Sequence, residues 1–295
     1  MALASGIENS PKPHKAVRKR NRWYVLWRNR PLVIGGGIVM LVLIAAVFAP
    51  LLSLYGPNAI DTNGILQAPS AHHWLGTDEL GRDEYARILM GARTSMAVSL
   101  GALIVGLVIG VPVGLISGFY RGFVDDWIIM RIVDAMQAFP FLILALVLAA
   151  MLGPGERNAM IAIGVGYVPI FVRIVRGQVL GELEKEFISA ARMIGASDWR
   201  IMWKHIFPNT LTPLIVQTTL VMAGGIVAEA SLSYLGLGVQ PPTASWGTML
   251  HDAQGYMGQA TWLALAPGFA IAFAVLGFNL LGDGLQRWLD PRRRN

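Results

Sequence analysis

Long apolar runs separated by shorter polar segments dominate the chain. Six runs are about 21 to 26 residues long, enough for a tilted helix to cross roughly 30 Å of hydrocarbon. The pattern predicts an all-α polytopic membrane protein with six transmembrane helices. The predicted spans are Leu32–Leu54, Ser95–Ser117, Trp127–Leu152, Ala159–Val179, Thr212–Leu235 and Thr261–Leu285.

A polar segment, Gly181–Asn209, separates the fourth and fifth runs. Helical spacing predicts a first short amphipathic helix, with one apolar face made of Leu183, Phe187, Ala190, Ala191 and Ile194. Gly195 is expected to end this helix in a left-handed conformation, and Ser197 with Asp198 should supply an N-cap and a first-turn acid for a second helix. The predicted apolar stripe of that helix is Trp199, Met202, Trp203 and Ile206. Pro208 then closes the segment.

Composition supports the membrane assignment. The chain has 295 residues, of which 54% are hydrophobic and 14% charged, and its mean hydropathy is +0.52. Soluble domains carry about a quarter charged residues. The absence of cysteine excludes disulfides, thiol catalysis and thiolate metal sites. No phosphate-binding loop, metalloprotease motif or nucleophile elbow is visible, so we expect no catalytic residue, and any ATP hydrolysis would need another chain.

The net charge of +6 could suggest nucleic acid, but its distribution indicates membrane topology instead. With the N-terminus inside, twenty of the 24 Lys and Arg residues fall on the inner side. The positive-inside rule therefore places both termini and the 181–209 segment in the cytoplasm. The expected organisation is a basic cytoplasmic tail (1–30) that attracts membrane lipid, an uncleaved first span (31–54), a periplasmic segment (55–92), a five-helix core (93–286) and a basic tail (287–295).

Few polar or charged residues interrupt the spans. Because placing a charged side chain in hydrocarbon is costly, each of them is a candidate for a structural or functional role. We predict a structural ion pair between Arg131 and Asp134. Glu229, with Ser233 and Tyr234, could face a water-filled path or cap a neighbouring helix. Gln137 and Pro140 put a polar group and a kink in the third span. Adjacent His72 and His73 point apart, so no metal site is expected.

The residue pattern of the polar segment resembles the cytoplasmic "EAA" loop of ABC-importer permeases. The pattern of that loop is Glu-Ala-Ala-x3-Gly, nine further residues, and then Ile-x-Leu-Pro. Here Ser189, His205 and Phe207 replace the Glu, Ile and Leu, but the Gly195-to-Pro208 spacing is kept. The resemblance implies a coupling helix that docks on an ATP-binding subunit. The expected docking residues, with Trp199 as apolar anchor, are Ala190, Ala191, Gly195, Ala196, Ser197, Asp198, Trp199 and Arg200. Geometry alone would also fit a plain interfacial connector.

Other stretches resemble the second ("C-type") permease subunit of the dipeptide/oligopeptide/nickel group of these importers. They are Leu75–Asp83, Ser231–Pro242 with Ser245–Gly247, and Asn279–Leu285 with Leu289–Arg292. The resemblance implies a bacterial inner-membrane permease that pairs with a paralogous permease, one or two ATP-binding subunits and a periplasmic or lipid-anchored binding protein. ATP and Mg would be used by those partners, with no cofactor on this chain. The third and fifth spans would line the path, with Gln137, Glu229, Ser233 and Tyr234 as candidates.

Three alternatives remain open at this point. Nickel or another small solute could replace peptide as the cargo, although the five histidines are scattered and suggest no metal relay. A stand-alone carrier or channel would need coupling carboxylates within the membrane, and the sequence offers little beyond Glu229. A membrane scaffold for a cytoplasmic partner would use the same loop without any path.

Overall fold

A computed structural model describes residues 29–289, so the basic tail before Asn29 and the segment 290–295 lie outside the described residues. Within this range the chain forms helices and no β-strand, apart from an isolated bridge between Thr77 and Asp83. The helices are α1 (Arg30–Val47, continued by one turn at Ala49–Leu52), α2 (Glu84–Tyr120), α3 (Val124–Gln137), α4 (Phe141–Leu152), α5 (Glu156–Leu183), α6 (Glu186–Met193), α7 (Asp198–Tyr234), α8 (Trp246–Ala253) and α9 (Trp262–Leu289).

Five of these helices, α1, α2, α5, α7 and α9, are long and apolar enough to cross a membrane. Helices α3 and α4 reach that length only as a pair, and they meet at an angle of 96°. The prediction of one kinked span over Trp127–Leu152 therefore understated the break. Pro140 has no N–H and restricts the backbone of the residue before it, so α3 ends at Gln137 and α4 restarts after Pro140. At 12 residues, or about 18 Å, α4 alone is too short to cross.

Helices α2 and α7 are longer than the predicted spans, with 37 residues each. Helix α2 begins eleven residues before the predicted start at Ser95. Its N-cap is Asp83, whose Oδ1 accepts a 2.7 Å hydrogen bond from the Ala86 N–H. This local cap explains why a polar stretch is helical even though it lacks the apolar pattern of a span.

Small residues set the spacing between the central helices. A Cβ added at Gly110 of α2 would lie 2.6 Å from the Phe171 Cβ of α5. A Cβ at Gly35 of α1 would lie 2.3 Å from the Leu281 nitrogen of α9. These distances are too short for any side chain, so the glycines allow the helix backbones to approach closely.

The outer faces of the long helices carry exposed apolar side chains. They include Met40 and Val47 of α1, Val108 of α2 and Phe269 of α9. In water such a surface would be a large aggregation-prone patch, but in a bilayer it meets lipid tails. The arrangement is typical of a membrane-embedded bundle.

The helices alternate in direction, and this defines two ends of the bundle. The end that carries the 181–209 segment is called the loop end, and the opposite end is called the far end. At the loop end, the Asn29 side chain donates to the Gly284 carbonyl (2.7 Å), which places the start of α1 beside the end of α9, and Arg192 of α6 lies over the Phe119 ring near the end of α2. At the far end, the Gly155 N–H before α5 donates to the Gly238 carbonyl after α7 (3.0 Å).

Candidate functional site

After α5, helix α6 and the start of α7 form a helix–turn–helix unit. Helix α6 ends at Met193, and Gly195 adopts a left-handed φ of +78°. The Gly195 N–H donates to the Arg192 carbonyl and the Ala196 N–H to the Ala191 carbonyl, which closes the helix end. Ser197 then caps α7 by accepting from the Arg200 N–H. The predicted stop and restart are confirmed.

The buried face of α6 differs from the prediction. Ile188 and Ala191 are buried, whereas Phe187 and Ala190 are exposed and Ile194 is 86% exposed. Ile194 lies beyond the last helical residue, in the C-cap position, so it no longer follows the helical phase that placed it on the apolar face. With Met193 at 82% exposure, it forms an apolar projection beside the Gly195 turn.

The start of α7 buries a different set from the predicted stripe. Ile201, Met202 and Ile206 are buried, and Trp199 is 66% exposed. The Trp199 ring packs against Trp203, with centroids 5.5 Å apart. A π-helical turn at Ile201–Ile206 changes the phase of the helix here, which helps to bring Ile201 inward.

Most predicted docking residues are accessible. Ala191 is buried and Ala196 half-buried; the exposed ones are Ala190, Gly195, Ser197, Asp198, Trp199 and Arg200. Sequence reasoning omitted Met193 and Ile194. The signal that could have identified them is a pair of apolar residues directly before a glycine stop, where the chain leaves the helix.

The predicted ion pair between Arg131 and Asp134 is wrong. Arg131 lies over the Trp127 ring, with its guanidinium carbon 5.3 Å from the centroid. The Asp134 carboxylate instead accepts a 2.6 Å hydrogen bond from Arg173 of α5. Spacing of three residues allowed a local pair, but the packing of α3 on α5 presents a closer cation from another helix.

The bend between α3 and α4 leaves a cavity of about 590 Å³ against α5. Gln137 and the Asp134–Arg173 pair supply its polar groups, and Phe139 and Ile170 are among its apolar walls. Gln137 thus lines a cavity, as a path residue would, although its role in transport stays a prediction.

The other path candidates occupy different surroundings. Glu229 is fully buried in α7, where the Ser233 hydroxyl donates to its Oε1 (2.7 Å) and accepts from the Val239 N–H (3.0 Å). Tyr234 lies at the end of α7, where His251 Nδ1 is 2.7 Å from its carbonyl oxygen. Neither the Glu229 carboxylate nor Ser233 reaches an open surface in the described part of the chain, and the bond from Ser233 lies within α7 itself. Whether Glu229 faces a path or caps a neighbouring helix therefore stays a prediction.

At the far end, the predicted periplasmic motif around residues 75–83 builds a buried ionic cluster. Asp78 Oδ2 lies 2.6 Å from Arg82 Nε and 3.4 Å from Arg87 Nε, and Arg87 also reaches Asp252 of α8 (3.5 Å). Burial raises the pKa of the Asp252 carboxyl, and it does the same for Glu79. The cluster ties the segment before α2 to α8, a connection that no local pattern in the sequence revealed.

Two family models match the chain. Residues 110–295 match the binding-protein-dependent transport system inner membrane component, and residues 20–69 match the N-terminal TM domain of oligopeptide transport permease C. The first match covers more than half of the chain. The protein therefore belongs to the family of binding-protein-dependent transport system inner membrane components, and the family resemblance inferred from the sequence motifs is confirmed.

Curated relatives share most of their length with this chain. The dipeptide transport system permease protein DppC of Alkalihalophilus pseudofirmus is 43% identical over 97% of this chain and 95% of its own. The glutathione transport system permease protein GsiD of Salmonella typhimurium is 45% identical over 92% and 91%. The probable D,D-dipeptide transport system permease protein DdpC of Escherichia coli is 40% identical over 98% of both chains.

A solved structure shares the fold. The MetNI methionine ABC transporter, in inward-facing conformations, aligns with a TM-score of 0.57 and 22% identity, and the match covers 68% of this chain and 95% of that one. At this identity the likeness concerns the fold alone. It places this chain among helical membrane folds of the ABC-transporter type.

Proposed function

We propose that this chain is one transmembrane permease subunit of an ATP-driven, binding-protein-dependent importer of dipeptides or oligopeptides. Membership of the family and three relatives named for dipeptide, glutathione and D,D-dipeptide transport support a peptide cargo. The observation that carries the coupling role is the exposed helix–turn–helix unit at the loop end, with Met193, Ile194 and Trp199 at its surface.

The proposed topology has six spans, with α3 and α4 together counted as the third. The loop end then faces the cytoplasm, because most Lys and Arg residues belong to segments on that side. Both ends of the described chain approach this side, since the start of α1 lies beside the end of α9. The location would be the bacterial inner membrane.

The proposed assembly contains a second, similar permease, one or two ATP-binding subunits and a periplasmic or lipid-anchored binding protein. The ATP-binding subunits would hold ATP and Mg, while this chain binds no cofactor and catalyses no reaction. Their grooves would accept the apolar projection at Met193 and Ile194, with Asp198 and Arg200 as the polar rim. ATP binding could then open or close the path only by favouring one arrangement of the coupling unit over another.

Co-purification from the native membrane tests this assignment. Wild type should bring down a similar permease and one or two ATP-binding subunits. Gly195→Arg should keep the permease and lose the ATP-binding subunits, because it forces a non-glycine residue into a φ of +78° and adds bulk to the turn. Gly236→Arg at the far end, where φ is +79° and an added Cβ also meets open space, is the matched control. If no ATP-binding subunit accompanies wild type in mild detergent, the importer assignment is wrong.

The cargo is tested separately by reconstituting the complex with its binding protein in liposomes. With ATP enclosed in the lumen and the binding protein and labelled dipeptide outside, the dipeptide should accumulate in the lumen. ATP-dependent uptake of another solute without uptake of any peptide would contradict the proposed substrate class but not the coupling role.

A further inference from the structure

Two arginines of α5, Arg173 and Arg176, pair with aspartates of α3, and their surroundings differ. Asp125 is 3% exposed, is bonded twice by Arg176 (Nε and Nη2) and receives a further hydrogen bond from Ser117. Asp134 and Arg173 are 53% and 48% exposed and share a single 2.6 Å contact. The first pair is a saturated structural contact, whereas the second keeps unused hydrogen-bonding capacity on an open surface.

The open pair lies in the part of the bundle whose helices are long and apolar enough to cross a membrane. Helix α5 has 28 residues and is about 42 Å long, and Arg173 is about 5 Å from its midpoint. Half-exposed charges at this depth are strongly disfavoured against lipid tails and are found facing water-filled cavities or other protein. This face of α3 and α5 must therefore point toward an aqueous path or another subunit.

The cavity beside the pair has the size and lining of a small-molecule site. Its volume of about 590 Å³ is within the range of about 300–1,000 Å³ that ligand pockets occupy. Most of its wall is apolar and includes Phe139, Phe141 and Ile170. Its polar groups, Asp134, Arg173 and Gln137, come together at the bend. A few convergent polar groups in an apolar wall fix the orientation of a bound molecule.

The hydrogen-bonding groups of Arg173 and Asp134 that have no recorded partner fit a molecule with one positive and one negative end. A guanidinium has five N–H donors, and within residues 29–289 the structure records one hydrogen bond from Arg173. The Asp134 Oδ2 oxygen likewise accepts no recorded bond in that part of the chain. A carboxylate bound to Arg173 and an ammonium bound to Asp134 would give four charges of alternating sign along the face. This set of charges sums to zero, so binding adds no net charge to the membrane interior.

We propose that Asp134, Arg173 and Gln137 form a subsite in the translocation path that binds the two charged termini of a dipeptide. Arg173 takes the terminal carboxylate, Asp134 takes the terminal ammonium, and Gln137 contacts the main-chain amide between them. The apolar wall accepts side chains without selecting among them. This inference rests on the proposed peptide-import function and assigns the residues that carry it.

The test compares free and end-blocked peptides in liposomes that contain the complete complex and its binding protein. For each peptide, the uptake rate of a variant is divided by that of wild type, so the contribution of the binding protein cancels. Arg173→Gln should lower uptake of the free dipeptide at least tenfold and that of its C-terminal amide less than threefold. Asp134→Asn should show the same contrast for the N-acetylated peptide. Arg157→Gln, on the same helix outside the cavity, is the control and should change neither rate by more than twofold.

Conservative and assembly controls keep the result interpretable. Arg173→Lys retains a cation and should recover most of the uptake of the free dipeptide. Equal loss for free and blocked peptides would show that the pair is a gate or a subunit contact, and the subsite proposal would then be wrong. If the wild-type complex transports no peptide at all, the proposed function itself fails and the subsite with it. Blue-native electrophoresis of each variant identifies loss of assembly, which would also assign the pair to a structural role.

Discussion

The apolar projection at the loop end should provide much of the affinity for an ATP-binding subunit. Met193 and Ile194 are 82% and 86% exposed, so nearly their whole surface is available to a partner. Complete burial of such a side chain is worth about 1.5–3 kcal/mol. Substitution by Ala keeps the Cβ, so each change should remove about 1–2 kcal/mol of binding free energy. Because 1.4 kcal/mol is a factor of ten, each variant should bind about 5- to 30-fold more weakly.

The assay is a titration of the purified ATP-binding subunit against the permease pair in lipid nanodiscs, with Kd read from surface-immobilised discs. Met151→Ala removes an equally exposed methionine at the far end of α4 and should leave Kd unchanged. Ile188→Ala truncates the buried face of α6 and should lower the unfolding temperature as well as affinity. Met193→Ala and Ile194→Ala should leave the unfolding temperature within about a degree of wild type, because they remove little buried surface.

The result that would refute this reasoning is simple to recognise. If the double variant Met193→Ala/Ile194→Ala binds the ATP-binding subunit within twofold of wild type, the projection does not enter the interface. The polar residues after Gly195 would then have to provide the contact.

Three further outcomes follow from the packing and the charges. Asp125→Ala leaves the Arg176 guanidinium without its main partner and should lower the free energy of unfolding by about 3 kcal/mol in a denaturant titration of the detergent-solubilised protein. Gly110→Ala overpacks α2 against α5 and should lose about 1–3 kcal/mol, whereas Gly37→Ala, with no atom within 4 Å, should be neutral or stabilising. Because burial raises the pKa of Asp252, its charged form is disfavoured in the folded state. Its contribution to stability should therefore increase as pH falls from neutral through that raised pKa and level off below the ordinary value of 3.8, and Asp252→Asn should flatten this part of the thermal-stability profile.

Local patterns predicted the features that depend on neighbours in sequence. The Gly195 stop and the Ser197 cap need only a few consecutive residues, and both are present. Run length also located the five long apolar helices, whereas the predicted third span is two helices separated by a bend. The break at Pro140 was expected as a kink, but its 96° angle depends on how α4 packs against α5. A proline can permit a bend without setting its size.

Side-chain partners across helices were beyond the reach of spacing rules. Arg131 was the nearest cation to Asp134 along the chain, yet Arg173, 39 residues away, is the nearest in space. The same limit applies to Glu229, whose burial depends on α7 packing against its neighbours rather than on its position in an apolar run. The apolar face of α6 was wrong at Ile194 because the helix ends one residue earlier.

By itself, then, the sequence determined the class of protein, the approximate membrane spans, the helix-breaking glycine of the loop and the family. These properties follow from composition, periodicity and short motifs, which act over one or two helical turns. Only the tertiary structure decided which charges pair, which loop residues project and where a polar cavity opens. Each of these depends on the distance between residues far apart in the chain, and that distance is set by how closely glycine-lined helices approach and by where a bent helix leaves space.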